Sequence, residues 1–282
     1  MILITWNVQW CRGCDGRVDP ERVVQVARSM GEFDVLCLQE VADNFPGLSG
    51  SSGEDQFRAI SGLLPGFTAV AGVAVDTLDR NGRRRRFGNL ILSRLPVLAA
   101  FRHLLPWPAD PRMAGMQRVA VEAVLGTASG PLRVTTTHLE YYSGLQRAAQ
   151  VERQRDLHAE ACGHRSDTMG EEKAGGPFEP VARPPSAILT ADFNFRASDP
   201  EYARIQAPIA GDVPAYRDAW TVANPGRAHD HTIGVYDRVQ WPEPSTFDFV
   251  FVTEDLVPRV REVRVNLATD ASDHQPVMLA LD

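Results

Sequence analysis

Short apolar runs that stop at a polar or acidic residue repeat along this chain. Residues 2–6 read as a strand ending at Asn7. Residues 34–38 read as a buried strand, with Gln39 and Glu40 beyond its end. Further strands, separated by turn residues, are predicted over 67–75, 89–93, 119–125, 132–137, 187–191, 246–253, 260–266 and 277–281. The spacing of Val23, Val24, Ala27 and Met30 predicts a helix over 20–30, with Asp19 as its N-cap and Pro20 at the first helical position. A second helix is predicted over 55–64, closed by Pro65 and Gly66, and a long one over 144–162.

Strands outnumber helices, and many neighbours are close enough to pair antiparallel. That order predicts an α+β, layered sandwich rather than a regular βαβ alternation. Residues 164–186 are rich in Gly, Pro and charge and read as a flexible surface loop. Acidic positions on both sides of that loop, Glu40, Asp192 and Asp273, make sense together only if both halves build one site. The expectation is therefore a single domain over 1–282.

Composition changes this picture little. The chain is 44% hydrophobic and 23% charged over 282 residues, ordinary for a soluble globular protein. No stretch approaches the roughly 20 apolar residues of a membrane span, so no membrane partner is expected. The segment Met1-Ile2-Leu3-Ile4 has no basic region and runs straight into a strand, so no secretory signal is expected and the cytoplasm is the expected location. Cys11-Arg12-Gly13-Cys14 could be redox-active or half of a zinc site, but no second pair completes a tetrahedral set, and reduced thiols are the simpler reading. The net charge of −7 creates no global positive field toward nucleic acid. Arg83-Arg84-Arg85-Arg86 is the local exception, read equally as a solvated hairpin tip and as a phosphate contact.

Candidate chemistry lies at the ends of the apolar runs. Asn7, Glu40, His138, Asp192, Asn194, Asp248, Asp273 and His274 each follow or close a strand-like segment. One such residue alone is most often a turn or cap residue. Together, oxygen ligands from carboxylate and amide suit a hard cation such as Mg²⁺, which takes one or two protein carboxylates and keeps several waters.

Thr5-Trp6-Asn7, Leu38-Gln39-Glu40-Val41, Gly88-Asn89-Leu90-Ile91-Leu92-Ser93, Thr137-His138-Leu139-Glu140, Asp192-Phe193-Asn194, Phe247-Asp248-Phe249-Val250-Phe251 and Ser272-Asp273-His274 carry a resemblance. At these segments, and in this order, the chain resembles the endonuclease/exonuclease/phosphatase superfamily, the deoxyribonuclease I-like fold. The resemblance implies a four-layer α/β/β/α sandwich, two packed mixed sheets flanked by helices. It also implies Mg²⁺- or Mn²⁺-dependent hydrolysis of a phosphate ester by water attack on phosphorus. Glu40 is then the first metal ligand, with Asn7 and Asp273 beside it. Asp192 orients or deprotonates the water, Asn194 and His138 bind the phosphate, and Asp248 fixes the ring of His274 against the scissile group. Arg118 opens a strand where some members place a phosphate contact, and a surface charge is the competing reading.

Glu140, Tyr141 and Tyr142 border the expected pocket or enter the following helix. Asp230 and His231 line the cleft or satisfy a loop, and Trp107 and Trp241 wall the site or cap packing. Ala191 stands where the family commonly has Gly before Asp-Phe-Asn. Neither a basic DNA-binding face nor a lipid-docking aromatic hairpin is evident. The expected partner is a phosphate-ester substrate, with nucleic acid among the candidates. A phosphatase of small organic phosphates and a catalytically silent phosphate-binding module of the same fold are the alternatives.

Overall fold

A computed structural model describes residues 1–164, 175–177, 179, 181 and 183–282. Much of the loop expected over 164–186 lies outside the described residues. The chain runs β1 (Ile2–Asn7), α1 (Pro20–Ser29), β2 (Val35–Asp43), α2 (Gln56–Leu63), β3 (Thr68–Leu78), β4 (Arg84–Ser93) and β5 (Val97–Leu104). It continues through β6 (Val119–Thr127), β7 (Gly130–His138), α3 (Gly144–Gly163), β8 (Ala187–Asp192), α4 (Pro200–Gln206) and β9 (Tyr216–Asp218). It closes with α5 (Ala219–Ala223), β10 (Asp248–Thr253), β11 (Val260–Val265) and β12 (Val277–Leu281).

Two six-stranded mixed sheets result, ordered β11-β12-β1-β2-β4-β3 and β5-β6-β7-β8-β10-β9. Leu3, Val35 and Ile91 of the first sheet meet Val121, Val134, Ile188 and Val250 of the second in a shared core. Ile4, Trp6, Leu36 and Leu38 turn to the other face and pack with Val23, Val24, Ala27 and Ile60 of α1 and α2. Phe193, Phe195, Phe249 and Phe251 likewise face outward with Val151, Leu157 and Ile205 of α3 and α4. The architecture is the expected helix-flanked sandwich. The predicted N-cap holds, since Asp19 accepts from the Arg22 N–H, and Asp55, expected inside the second helix, caps it by accepting from the Arg58 N–H.

The layer between the sheets positions the site. Along each central strand, every second residue points into it. In β1 that series is Leu3, Thr5, Asn7; in β7, Val134, Thr136, His138; in β8, Ile188, Thr190, Asp192; in β10, Val252, Val250, Asp248. Register aligns them, since His138 lies opposite Asp192 and Asp192 opposite Asp248. The layer therefore grades from aliphatic to polar, through a hydroxyl in β1, β7 and β8, and ends in an amide in β1 and in ionisable groups in β7, β8 and β10. At its middle the Gln39 amide donates to Thr5 Oγ1 at 3.1 Å and Thr136 Oγ1 at 2.8 Å, and Thr190 Oγ1 reaches Thr136 Oγ1 at 3.1 Å. These bonds satisfy the Gln39 NH₂ and the threonine hydroxyls, which would otherwise weaken a buried layer, while Gln39 Oε1 stays buried without a partner.

Close approach between the sheets, and of β3 to β4 within the first sheet, depends on glycine. A Cβ on Gly72 would lie 2.0 Å from Val121 Cγ2 across the interface, and one on Gly88 would lie 2.0 Å from the Gly72 carbonyl oxygen.

Several elements differ from the sequence expectation. β2 does not end before Gln39. It passes through a bulge at Gln39 and Glu40, between the pairs Leu38–Leu90 and Val41–Gly88, and continues to Asp43. β4 begins at Arg84, so the arginine run lies largely within a strand and not wholly at a tip. β5, β9, α4 and α5 are elements that the hydrophobic pattern did not show. No described helix is long and apolar enough to cross a membrane.

Candidate active site

Asn7, Glu40, His138, Asp192, Asn194, Asp248, Asp273, His274 and Arg118 all converge at one rim of the sandwich. Most of them line a cavity of about 380 Å³, with Tyr141, Tyr142 and Trp241 forming part of its wall. Asn7 and Asp248 stand behind the wall and hold residues that do reach it.

Asn7 is buried, and its Nδ2 donates to Glu40 Oε1 at 3.0 Å and to Asp192 Oδ2 at 2.9 Å. Its Oδ1 accepts from the Gln9 N–H at 3.0 Å. Asn7 thus presents its NH₂ to the carboxylates and clamps them, an orientation different from that of a metal ligand. The following turn is strained, with Gln9, Trp10 and Cys11 at φ of 46°, 45° and 61°. The bulge gives Glu40 a φ of 60° and turns its carboxylate toward Asn7.

Asp192 also accepts from the Asn194 N–H at 3.0 Å, while the Asn194 amide donates to the Leu139 carbonyl at 2.9 Å. Asn194 itself has φ 52°, a left-handed conformation that asparagine adopts more readily than most residues. Its amide therefore braces the end of β7 as well as lining the cavity.

Two imidazoles flank Asp192 in different charge states. His138 Nε2 lies 3.4 Å from Asp192 Oδ2, and its Nδ1 3.9 Å from Glu40 Oε1. Burial, with the positive charges of Arg118 and His274, holds His138 well below the ordinary imidazole value, so it is neutral. His274 Nδ1 donates to Asp248 Oδ2 at 2.8 Å, leaving Nε2 3.6 Å from Asp192. Burial alone would depress His274, but Asp248, Asp192 and Asp273 outweigh it and raise the ring well above its ordinary value. Trp6 Nε1 pins this segment by donating to the His274 carbonyl at 2.9 Å.

The only cation paired with these acidic groups, among the described residues, is the imidazolium of His274 beside Asp192. Among the described residues, no lysine or arginine pairs with Glu40, Asp192 or Asp273. Glu40 is raised from its ordinary value by burial first and by the charge of Asp273 next, and burial chiefly raises Asp192. Glu40, His138 and Asp192 offer ligand atoms within 4.8 Å of one another, as do Asp192, Asp248 and His274. A divalent cation fits this donor set, because it would neutralise carboxylates that otherwise repel one another in a poorly solvated cleft. Asp273 belongs to neither group. Its Oδ2 accepts from Trp241 Nε1 at 3.2 Å and Gln240 at 3.3 Å, so it faces the cavity while tethered to that loop.

Arg118 is buried and not a surface charge. Its Nε and Nη2 donate to Glu140 Oε2 at 3.3 and 3.2 Å, and its Nη1 has no partner. Glu140, fully buried, and Trp241, whose ring lies 6.4 Å from that of His274, are site residues that strand-end reasoning did not rank. The uninterrupted Thr-His-Leu-Glu run was the signal for Glu140. Trp241 had none beyond being aromatic.

Asp230 instead pairs with Arg227 at 2.7 Å, and neither His231 nor Trp107 lines the cavity. Cys11 and Cys14 are free thiols. Burial pushes both upward, Cys14 to about 11, and no metal-sized group among the described residues includes either.

A sequence profile of the Endonuclease/Exonuclease/phosphatase family matches residues 4–274. No match was found among curated proteins. Among solved structures, the fold is similar to an endonuclease/exonuclease/phosphatase from Bacteroides vulgatus at TM-score 0.69 and 20% identity, covering 100% of this chain and 98% of the other. It is also similar to the Bacteroides thetaiotaomicron mannosyl-6-phosphatase, with TM-score 0.67, 17% identity and coverage of 100% and 99%. Humanized D. rerio TDP2 aligns at TM-score 0.63 and 17% identity, with coverage of 100% and 98%. With the profile matched over nearly its whole length and the sandwich shared by these structures, the chain belongs to the endonuclease/exonuclease/phosphatase family.

Proposed function

We propose that the protein is a divalent-metal-dependent hydrolase of phosphate esters, acting by water attack on phosphorus, with a phosphodiester as the preferred substrate. The observation that carries this reading is the convergence of Glu40, His138, Asp192 and His274 on one cavity, where no lysine or arginine among the described residues pairs with the carboxylates. Membership of a family of phosphoric ester hydrolases agrees with it.

Glu40, with Asp192 and Asp273 near it, would hold Mg²⁺ or Mn²⁺. A bound ion of this kind supplies charge neutralisation at phosphoryl and leaving oxygens and a more acidic water. The protein's own groups divide the remaining work. Asp192 is positioned by Asn7 and the Asn194 N–H, so a carboxylate lone pair can orient the attacking water and take its proton. His274, protonated and held from behind by Asp248, directs Nε2–H at a phosphoryl oxygen. Neutral His138 donates or accepts beside it without adding repulsion to the ion. Arg118 offers its unpartnered Nη1 to a non-bridging oxygen, with Glu140 locking the guanidinium plane.

Turnover of bis-p-nitrophenyl phosphate with Mg²⁺ and Mn²⁺ tests the reading. Hydrolysis that needs the ion and disappears in both Glu40→Ala and His274→Ala, with the fold intact, is expected. Unchanged turnover in both variants removes it.

A further inference from the structure

Beside the carboxylate-lined cavity, the β3–β4 hairpin carries a second cavity, which is basic. It measures about 430 Å³ and is lined by Phe45, Leu78, Arg80 and Arg85 among others. Arg85 Cζ sits 5.3 Å from the centre of the Phe45 ring, and its Nε has no hydrogen-bond partner. Phe45 meets Phe87 edge-on at 6.1 Å, and Phe87 lines the catalytic cavity. Arg85 and Phe87, two residues apart on β4, share one face of the strand. One aromatic pair therefore separates the two cavities.

The arginines here divide into two sets. Arg84 pairs with Asp76, and Arg86 with Asp43 and Asp55, so these two are structural. Among the described residues, no carboxylate pairs with Arg80, Arg83 or Arg85. Asp79 lies in the same turn, but its oxygens accept from the N–H groups of Asn81 and Arg83 and from the Asn44 amide. Arg80 and Arg85 line the cavity with Phe45 and Asp79, and Arg83 stands in the same turn, where its N–H and its charge help hold Asp79 below the ordinary carboxylate value. In a chain of net charge −7, these three guanidiniums against one carboxylate leave a local positive site with Phe45 as a stacking wall.

We infer that this hairpin binds a phosphate and base of the substrate beyond the scissile phosphate, making single-stranded nucleic acid the substrate class. The inference rests on the hydrolase reading of the neighbouring cavity and extends it. A small phosphate ester fills the catalytic cavity alone and never reaches Arg80 or Arg85. An oligonucleotide strand spans both cavities across Phe87.

The test compares wild type with Arg80→Ala/Arg83→Ala/Arg85→Ala on a fluorescein-labelled oligothymidylate and on bis-p-nitrophenyl phosphate, both with Mg²⁺. The triple variant should raise KM for the oligonucleotide by about tenfold or more and flatten the slope of log affinity against log salt by about 2. Its turnover of bis-p-nitrophenyl phosphate should not change. Arg80→Ala/Arg83→Ala, which alters only exposed side chains, should show a smaller effect of the same kind. Equal losses on both substrates, or no loss on the oligonucleotide, overturn the inference. Anisotropy separates the two readings. Oligonucleotide binding that the triple variant loses, without hydrolysis in wild type, upholds the subsite and removes the hydrolase. Hydrolysis of the small diester without oligonucleotide binding does the reverse.

Discussion

His274 Nδ1 donates to Asp248 Oδ2 at 2.8 Å, and this bond aims the opposite ring nitrogen at the space beside Asp192. Asp248 Oδ1 is buried without a partner, so the carboxylate is committed to the ring through one oxygen. Replacing this carboxylate with an amide keeps the shape and loses the charge that favours imidazolium. Asp248→Asn should lower kcat by about 10²- to 10⁴-fold with little change in KM, read from steady-state kinetics on a diester. An unaltered kcat would show that the ring needs no protonation.

Glu40 has a second measurable role besides activity. If it holds the cation, Mg²⁺ should raise the unfolding temperature of the wild type, because ligand that binds only the folded state stabilises it. Glu40→Gln should abolish that rise while leaving the metal-free unfolding temperature unchanged or slightly higher, since a neutral amide relieves the repulsion from Asp273. A full metal-induced rise in the variant would move the ion elsewhere.

Gly72 provides a test of the sheet interface. The methyl of Gly72→Ala enters the space of Val121 between the two sheets, where edge strand β3 faces β6. Overpacking of this kind costs about 1–3 kcal/mol, to be read from the urea midpoint. Retention of wild-type stability would mean that the two sheets separate more easily than their packing indicates.

His158 gives the folded state a pH dependence away from the site. It is buried, with Nδ1 2.5 Å from Arg133 Nη2 and Nε2 2.8 Å from the Pro214 carbonyl oxygen. Burial, then the Arg133 charge, lowers the ring from 6.5 to about 4. A depressed histidine contributes stability that is complete above pH 6.5 and declines as pH falls toward 4, because the unfolded chain takes up the proton first. The loss across that window is about 3 kcal/mol. His158→Asn should flatten the urea-stability profile between these limits, and an unchanged slope would assign the dependence to other groups.

Parts of this protein were legible in the linear chain, and the missing parts share physical causes. β5 lies at a sheet edge with Leu98 and Leu104 more than half exposed, so burial did not impose a clear two-residue alternation on it. β9, α4 and α5 are too short to display a period at all. The bulge that carries Glu40 left no mark, because Leu38-Gln39-Glu40-Val41 reads equally well as a strand end. The Arg118–Glu140 pair joins the residue before β6 to a residue just after β7, and only their adjacency in space makes Arg118 a buried group.

What the amino-acid order determined by itself was the repeat of aliphatic, hydroxyl and ionisable residues at every second position, as in Val134-Thr136-His138 and Ile188-Thr190-Asp192. That repeat places chemistry at the ends of strands. Tertiary structure alone decided that these ends meet. Parallel pairing sets His138 beside Asp192, and antiparallel pairing sets Asp248 on its other side. A slip of one residue in either ladder would turn those side chains to the outer face. The buried inter-sheet core prevents that slip, because it would also carry Val134, Ile188 and Val252 away from their apolar neighbours.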